Sequence, residues 1–107
     1  AAAGAAGAAG ALYFTDRGAS TMVTAPLDRT AVATIATFRD LGITVTETET
    51  GEGEREFDGE QGGRKVSADL ERDESGGTKI EVTAQEGVKW NKDYARMVLT
   101  EIVQRVS

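Results

Sequence analysis

The spacing of hydrophobic and polar positions changes several times along the chain, and each change predicts a new element. Residues 20–26 (STMVTAP) alternate as in a β-strand and end at the only proline in the sequence. From Asp28, a predicted helix cap, apolar residues recur at the 3.6-residue period of a helix, which Gly42 is expected to end. The predicted inward face of this helix consists of Ala31, Val32, Ile35, Phe38 and Leu41.

After Gly42 the period becomes two, which is typical of strands. Residues 43–50 (ITVTETET) are expected to place Ile43, Val45, Glu47 and Glu49 on one face, so that this strand begins buried and ends in solvent. Glycine-containing turns at 51–54 and 60–63 flank a short strand that carries Phe57. Residues 64–72 and 78–85 alternate as two half-buried antiparallel strands joined by DESGG, with these residues facing inward: Val66, Ala68, Leu70, Ile80, Val82 and Ala84.

A second helix is predicted to end the chain, with Asn91 as its cap. Trp90, just before this cap, has two interpretations: it staples the loop to the core, which is the more usual role, or it belongs to an interface with Lys89 and Lys92. The apolar stripe of the helix is expected to consist of Tyr94, Met97, Val98, Ile102, Val103 and Val106.

The order strand, helix, four strands, helix predicts an α+β fold. We expect a two-layer sandwich in which an antiparallel sheet of about five strands carries both helices on one face. Residues 1–19 are expected to form an Ala/Gly-rich N-terminal segment for assembly or tethering, and residues 20–107 a single domain. A chain of 107 residues has room for one such domain with one core.

Composition removes several classes of function. The chain has neither cysteine nor histidine, and so lacks thiolate chemistry, the commonest general base and the commonest metal ligand. Its net charge of −6 opposes binding to nucleic acid and to anionic lipid. No apolar run approaches the roughly 20 residues of a membrane-spanning helix, so we expect no membrane span.

Carboxylates are concentrated between residues 47 and 60. Calcium could in principle use their oxygens, and two carboxyls could act as acid and base across a cleft, with Glu49, Glu54 and Glu56 as candidates. Their two-residue spacing instead favours side chains that fan out along one solvated face, so we expect no metal, no cofactor and no catalytic residue. The seven carboxylates are Glu47, Glu49, Glu52, Glu54, Glu56, Asp58 and Glu60.

Short motifs give the chain a resemblance to a known family. They are APLD at 25–28, DLG at 40–42, ITVT at 43–46, GRKV at 63–66 and TKIEV at 78–82. Over about residues 18–106 the chain resembles small bacterial envelope proteins of lipoprotein type whose function is unknown. The resemblance implies an Ala/Gly-rich segment after a lipidated cysteine, so the anchor would lie upstream of Ala1 or this member would be released. The small residues from Ala1 onward are typical of a chain after signal-peptide cleavage, and we expect export to the envelope, periplasm or extracellular space.

The first ten residues are only alanine and glycine, with Gly4, Gly7 and Gly10 three apart. Such a segment is either a tether or a packing surface that lets neighbouring backbones approach closely, and the following ALYFT is able to add a strand to a neighbour's sheet. We expect self-assembly of copies of this chain into a filament or other surface polymer. The alternative is a monomeric, lipid-anchored module that binds a partner or ligand. The predicted self-assembly residues are Ala1, Gly4, Gly7, Gly10, Leu12, Tyr13 and Phe14.

Overall fold

An antiparallel sheet of seven strands with two helices against one face forms the structure, a computed structural model that describes residues 12–106. The predicted α+β class is confirmed. In chain order the elements are β1 (Tyr13–Phe14), β2 (Gly18–Val23), α1 (Leu27–Asp40), β3 (Thr44–Gly51), β4 (Glu54–Gln61), β5 (Arg64–Arg72), β6 (Thr78–Glu86), β7 (Lys89–Trp90) and α2 (Lys92–Val106).

The strands lie in the order β1-β2-β6-β5-β4-β3, and β7 pairs with β6. The five longer strands are those expected from the alternation, while β1 and β7 add two pairings of two residues each. Because β1 starts at Tyr13, the sheet already begins within the segment 1–19 that was expected to precede the domain.

One face of the sheet carries the core. Val66, Ala68, Ile80 and Val82 on β5 and β6 are fully or almost fully buried beneath the helices. Helix α2 packs on β2 and β6, whereas α1 packs on β3, β4 and β5. The other face of the sheet, called here the open face, carries polar side chains. Every candidate group on the sheet therefore belongs either to the helix side or to this open face.

Helix α1 begins one residue earlier than Asp28 and without the expected side-chain cap. Its N-cap is Pro26, whose fixed φ suits a helix start, and this N-terminus has no side-chain cap hydrogen bond. Asp28 lies in the first turn instead, where its carboxylate interacts favourably with the positive end of the helix dipole. It also forms a salt bridge of 2.9 Å with Arg55. Gly42 has a φ of 77° just after the C-cap residue Leu41, as expected of a glycine that ends a helix.

The inward face of α1 differs from the one predicted. Thr30, Thr34 and Thr37 are fully buried, whereas Val32 is 70% exposed and Ile35 is 37% exposed. Two of the threonines tolerate burial because Thr30 Oγ1 donates to the Pro26 carbonyl at 2.9 Å and Thr34 Oγ1 to the Thr30 carbonyl at 2.8 Å. With its hydroxyl satisfied, a buried threonine packs much as a valine does.

Strand β3 contains a β-bulge that changes the predicted alternation. Val45 pairs with Gly59 and Glu47 with Asp58, so Thr46 is the extra residue between them. The bulge leaves Val45 facing the helices and turns Glu47 and Glu49 to the open face. The expectation that all four residues from Ile43 to Glu49 share one face is therefore wrong.

Helix α2 is capped as predicted, since Asn91 Oδ1 accepts a hydrogen bond of 2.9 Å from the Tyr94 backbone. Its buried face consists of Ala95, Val98, Leu99, Ile102 and Val106. Met97, expected on this face, is 37% exposed. Trp90 is 39% exposed and does not belong to the core, so its expected role as a staple is not what the fold shows.

Candidate functional site

A row of acidic side chains crosses the open face from one strand to the next. Glu49 on β3 pairs with Glu56 on β4, Glu56 with Asp69 on β5, and Asp69 with Glu81 on β6. Residues directly opposite in an antiparallel sheet have Cβ atoms about 5 Å apart, so these carboxylates are close neighbours. Sequence spacing identified the β3 and β4 members but missed Asp69 and Glu81, because only the strand register aligns them. The sequence did place Asp69 and Glu81 on the outward side of their predicted strands, and this was the signal that could have identified them.

The row changes the acidity of its central members. Partial burial, followed by the charges of Asp69, Asp58 and Glu49, raises the pKa of Glu56 from 4.5 to about 7. Desolvation also raises the pKa of Asp69, with Glu81 as the largest contribution from a neighbouring charge. The protein therefore holds a proton on the open face near neutral pH, where isolated carboxyls would have lost it.

Some of the β3 and β4 carboxylates line an open depression of about 390 Å³ together with Asp69 and Glu71. It brings together the three candidate acid–base residues Glu49, Glu54 and Glu56. Among residues 12–106, however, no three acidic side chains form a group that could hold a metal ion. The carboxylates form an acidic surface that extends from one strand to the next and does not converge on one point.

The N-terminal residues predicted to mediate assembly divide into two groups. Ala1, Gly4, Gly7 and Gly10 lie outside the described residues. Leu12 is partly buried against the core, whereas Tyr13 is 64% exposed and Phe14 is 54% exposed. Tyr13 pairs with Ser20 and Phe14 with Ala19 of the same chain, so this pair is already the outer strand of its own sheet. The structure thus presents both aromatic rings at a sheet edge.

Cationic side chains lie over the aromatic rings at this end of the molecule. The Arg96 guanidinium is 5.6 Å from the centre of the Phe14 ring, and the Arg17 guanidinium is 5.0 Å from that of Trp90. Phe14 and Trp90 also line one shallow cavity of about 580 Å³ at the start of α2, together with Lys89 and Lys92. Glu86 and Asp93 line the same cavity, so this edge combines aromatic rings with side chains of both charges and differs in that way from the acidic open face.

Trp90 also borders a second depression, on the open face. Trp90 pairs with Gln85, and the two line a groove of about 340 Å³ with Lys65, Ser67, Thr83 and Asp58. Within it Ser67 Oγ donates to Asp58 Oδ1 at 2.6 Å. The groove offers hydrogen-bonding groups beside one aromatic ring, a combination that suits a small polar ligand.

Comparison with protein-family models gives no match, and comparison with curated proteins gives no significant match. The resemblance to envelope lipoproteins therefore stays a prediction from the motifs. Within residues 12–106, neither helix combines the length and the apolar character that crossing a membrane requires.

Proposed function

We propose that this chain is a non-catalytic, extracytoplasmic structural protein that self-assembles through its N-terminal Ala/Gly and ALYFT segment. The observation that carries the proposal is the exposure of Tyr13 and Phe14 at the outer strand of the sheet. Successive side chains of a strand point to opposite faces, so the outer strand presents one aromatic ring on each side of the sheet edge, and a large aromatic side chain held in solvent is typical of a contact surface rather than of a core.

The sequence before this pair supports the same function. Residues 1–11 contain no side chain larger than a methyl group, so a neighbouring copy meets little steric hindrance beside Tyr13 and Phe14. A short sheet edge next to such a segment fits assembly better than catalysis, for which the chain has no histidine base. The envelope location rests on the motif resemblance alone.

Electron microscopy of the full chain tests the proposal. We expect ordered polymers from the unaltered protein, and we expect their loss when Gly4, Gly7 and Gly10 are all replaced by glutamate or when Tyr13 and Phe14 are both replaced by serine. A full chain that stays monodisperse at domain size up to millimolar concentration would contradict self-assembly.

The groove beside Trp90 favours a second function, that of a monomeric, lipid-anchored envelope module that binds a partner or ligand. Trp90 lines this groove together with Lys65, Ser67 and Gln85, whose side chains are able to hydrogen-bond a polar ligand. Under this alternative the full chain remains monomeric, and replacing Trp90 by alanine abolishes ligand binding without changing particle size.

A further inference from the structure

Strand β3 is an outer strand of the sheet, and among residues 12–106 it pairs with β4 alone. It is eight residues long, whereas β1 at the opposite edge has two residues. Every residue from Thr46 to Gly51 is exposed. An outer strand of this length presents a row of backbone N–H and carbonyl groups to which a further strand is able to add.

The two sides of β3 differ in charge. Thr48 is opposite the buried Phe57 and therefore points to the helix side, so Glu47 and Glu49 point to the open face. The neighbouring strand β4 also places acidic side chains there. All the charged side chains that β3 and β4 place on the open face are acidic, and they are Glu47, Glu49, Glu54, Glu56, Asp58 and Glu60.

None of these six carboxylates forms a salt bridge with a residue of the described chain, 12–106, where the acidic partners in salt bridges are Asp28, Asp40 and Glu86. Lys65 is opposite Glu60 at one end of β4. Around Glu49, however, the neighbours in the register are Glu56 and then Asp69. The negative charge at this part of the edge is therefore left uncompensated by the described side chains.

We propose that the outer edge of β3 binds an extended peptide segment of another protein, which adds to the sheet as a strand and carries lysine or arginine at alternate positions. A residue of the added strand opposite Glu49 shares its face and continues the row from Glu49 to Asp69, and the residue two positions along is opposite Glu47. Cations at these two positions replace like-charge contacts by attractive ones. The register thus predicts both the charge and the spacing of the ligand.

The same glutamates disfavour a second copy of this strand as the partner. Pairing β3 with another β3 would bring Glu47 and Glu49 of both copies onto one face, and like charges on neighbouring strands destabilise a sheet. Charged side chains and a bulge, here at Thr46, are devices by which sheet edges avoid one another. A basic strand gains where an acidic strand loses, and this difference provides the specificity.

The proposed site is separate from the surface proposed for self-assembly. Tyr13 and Phe14 form β1, at the other end of the strand order from β3. A peptide on β3 therefore leaves the N-terminal segment free, and the inference goes beyond self-assembly without depending on it.

Fluorescence anisotropy with synthetic peptides tests the proposal on the full chain. The labelled probe has the length of β3 and alternates lysine with threonine, and a control peptide of the same composition carries its lysines in one block. Glu49→Lys alters the site. Glu74→Lys is the matched control, because it makes the same change of charge at an exposed residue of the β5–β6 turn. Circular dichroism checks that both variants fold.

We expect the alternating peptide to bind the unaltered chain, and we expect the block peptide and Glu49→Lys each to weaken binding about tenfold. Glu74→Lys is expected to change it less than about twofold, because separated surface charges are screened by salt. Binding is also expected to slow amide hydrogen exchange in β3 but not in β1, since the added strand covers only the β3 edge.

Three results would overturn the proposal: no binding of the alternating peptide up to millimolar concentration, equal binding of the block peptide, or unchanged exchange in β3. The last two would indicate general attraction to an acidic protein. Slower exchange in β3 on raising the protein concentration without peptide would assign the edge to a second copy and overturn it as well. Polymers in electron microscopy bear on self-assembly alone, so the two proposals fail separately.

Discussion

Glu56 on β4 and Asp69 on β5 are directly opposite one another in the sheet register, with Glu49 on the other side of Glu56. Like charges opposite each other on neighbouring strands destabilise a sheet. The pKa of Glu56 is raised to about 7, so its carboxyl is mostly protonated below that pH and the repulsion is smaller there. The open face is thus stable in a way that depends on pH.

Replacing Glu56 with glutamine is expected to stabilise the fold at pH 8 by about 1 kcal/mol and to change little at pH 4. A carboxyl whose pKa is higher in the folded state binds more protons there than in the unfolded state, so stability falls as pH rises from about 4.5 to about 7. Urea unfolding of both proteins at several pH values measures this difference. Glu52→Gln in the β3–β4 turn is the control, and an equal gain from both variants at pH 8 would argue against the row as the cause.

Thr37 is the buried threonine of α1 whose hydroxyl has no hydrogen-bond partner among residues 12–106. Replacing it with valine keeps the shape and removes an unsatisfied group, so we expect a gain of about 1 kcal/mol in the free energy of unfolding. Thr34→Val is the comparison, since Thr34 Oγ1 already donates to the Thr30 carbonyl and its loss brings no gain. If denaturant unfolding finds no difference between the two variants, the Thr37 hydroxyl is satisfied in solution.

Gly59 lets β4 approach the end of α1 and the start of β3. A Cβ atom there would lie 2.6 Å from Ile43 Cγ2 and 2.9 Å from the Thr44 carbonyl oxygen. Gly59→Ala is therefore expected to destabilise the fold by about 1–3 kcal/mol. Gly51→Ala is the control, because the nearest atom to its Cβ is Glu54 Cβ at 3.8 Å. Thermal unfolding of the two variants measures the contrast, and equal melting temperatures would contradict it.

Tyr94 joins the start of α2 to the end of β4. Its hydroxyl lies 2.8 Å from Gln61 Oε1, while Gln61 Nε2 donates to the Leu41 carbonyl at the end of α1. The Arg64 guanidinium lies 3.8 Å from the centre of the Tyr94 ring. One glutamine thus ties both helices to the sheet.

Tyr94→Phe keeps the ring and removes the hydroxyl, so we expect it to cost about 1 kcal/mol of stability. Tyr13→Phe is the control, because that ring is 64% exposed and the change is expected to stay within about 0.5 kcal/mol. Urea unfolding of the two variants at the same low protein concentration measures the difference. A Tyr94 variant as stable as the Tyr13 variant would show that the hydroxyl bond contributes nothing.

Local patterns were sufficient for the order and type of the longer elements. The alternation in residues 64–72 and 78–85, the Asn91 cap and the Gly42 stop depend only on neighbours within a few positions, and each is found where it was expected. Their physical basis is the period of the side chains and the conformations that asparagine and glycine favour, which act before any distant contact forms.

Which side of α1 faces the core could be determined only from the packed structure. Its sequence offers two adjacent stripes, one with threonines and one with Val32 and Ile35, and hydropathy favours the second. The hydroxyls of Thr30 and Thr34 donate to helix carbonyls, which makes their burial tolerable although their hydropathy is low. In the packed structure the threonine stripe therefore faces the core. The exposure of Val32 and Ile35 on the outside of the helix follows from this packing.

The candidate surfaces likewise depend on tertiary register. Counting along the chain gives the carboxylates of residues 47–60, but the bulge at Thr46 decides that Glu47 and Glu49 face outward, and strand pairing adds Asp69 and Glu81 to the row. The aromatic pair Tyr13 and Phe14 was visible in the sequence as a β-prone stretch, yet its exposure follows from its place at the outer edge of the sheet. Periodicity assigns each residue a side of its own strand, while only the pairing of distant strands decides which side chains become neighbours and which meet solvent.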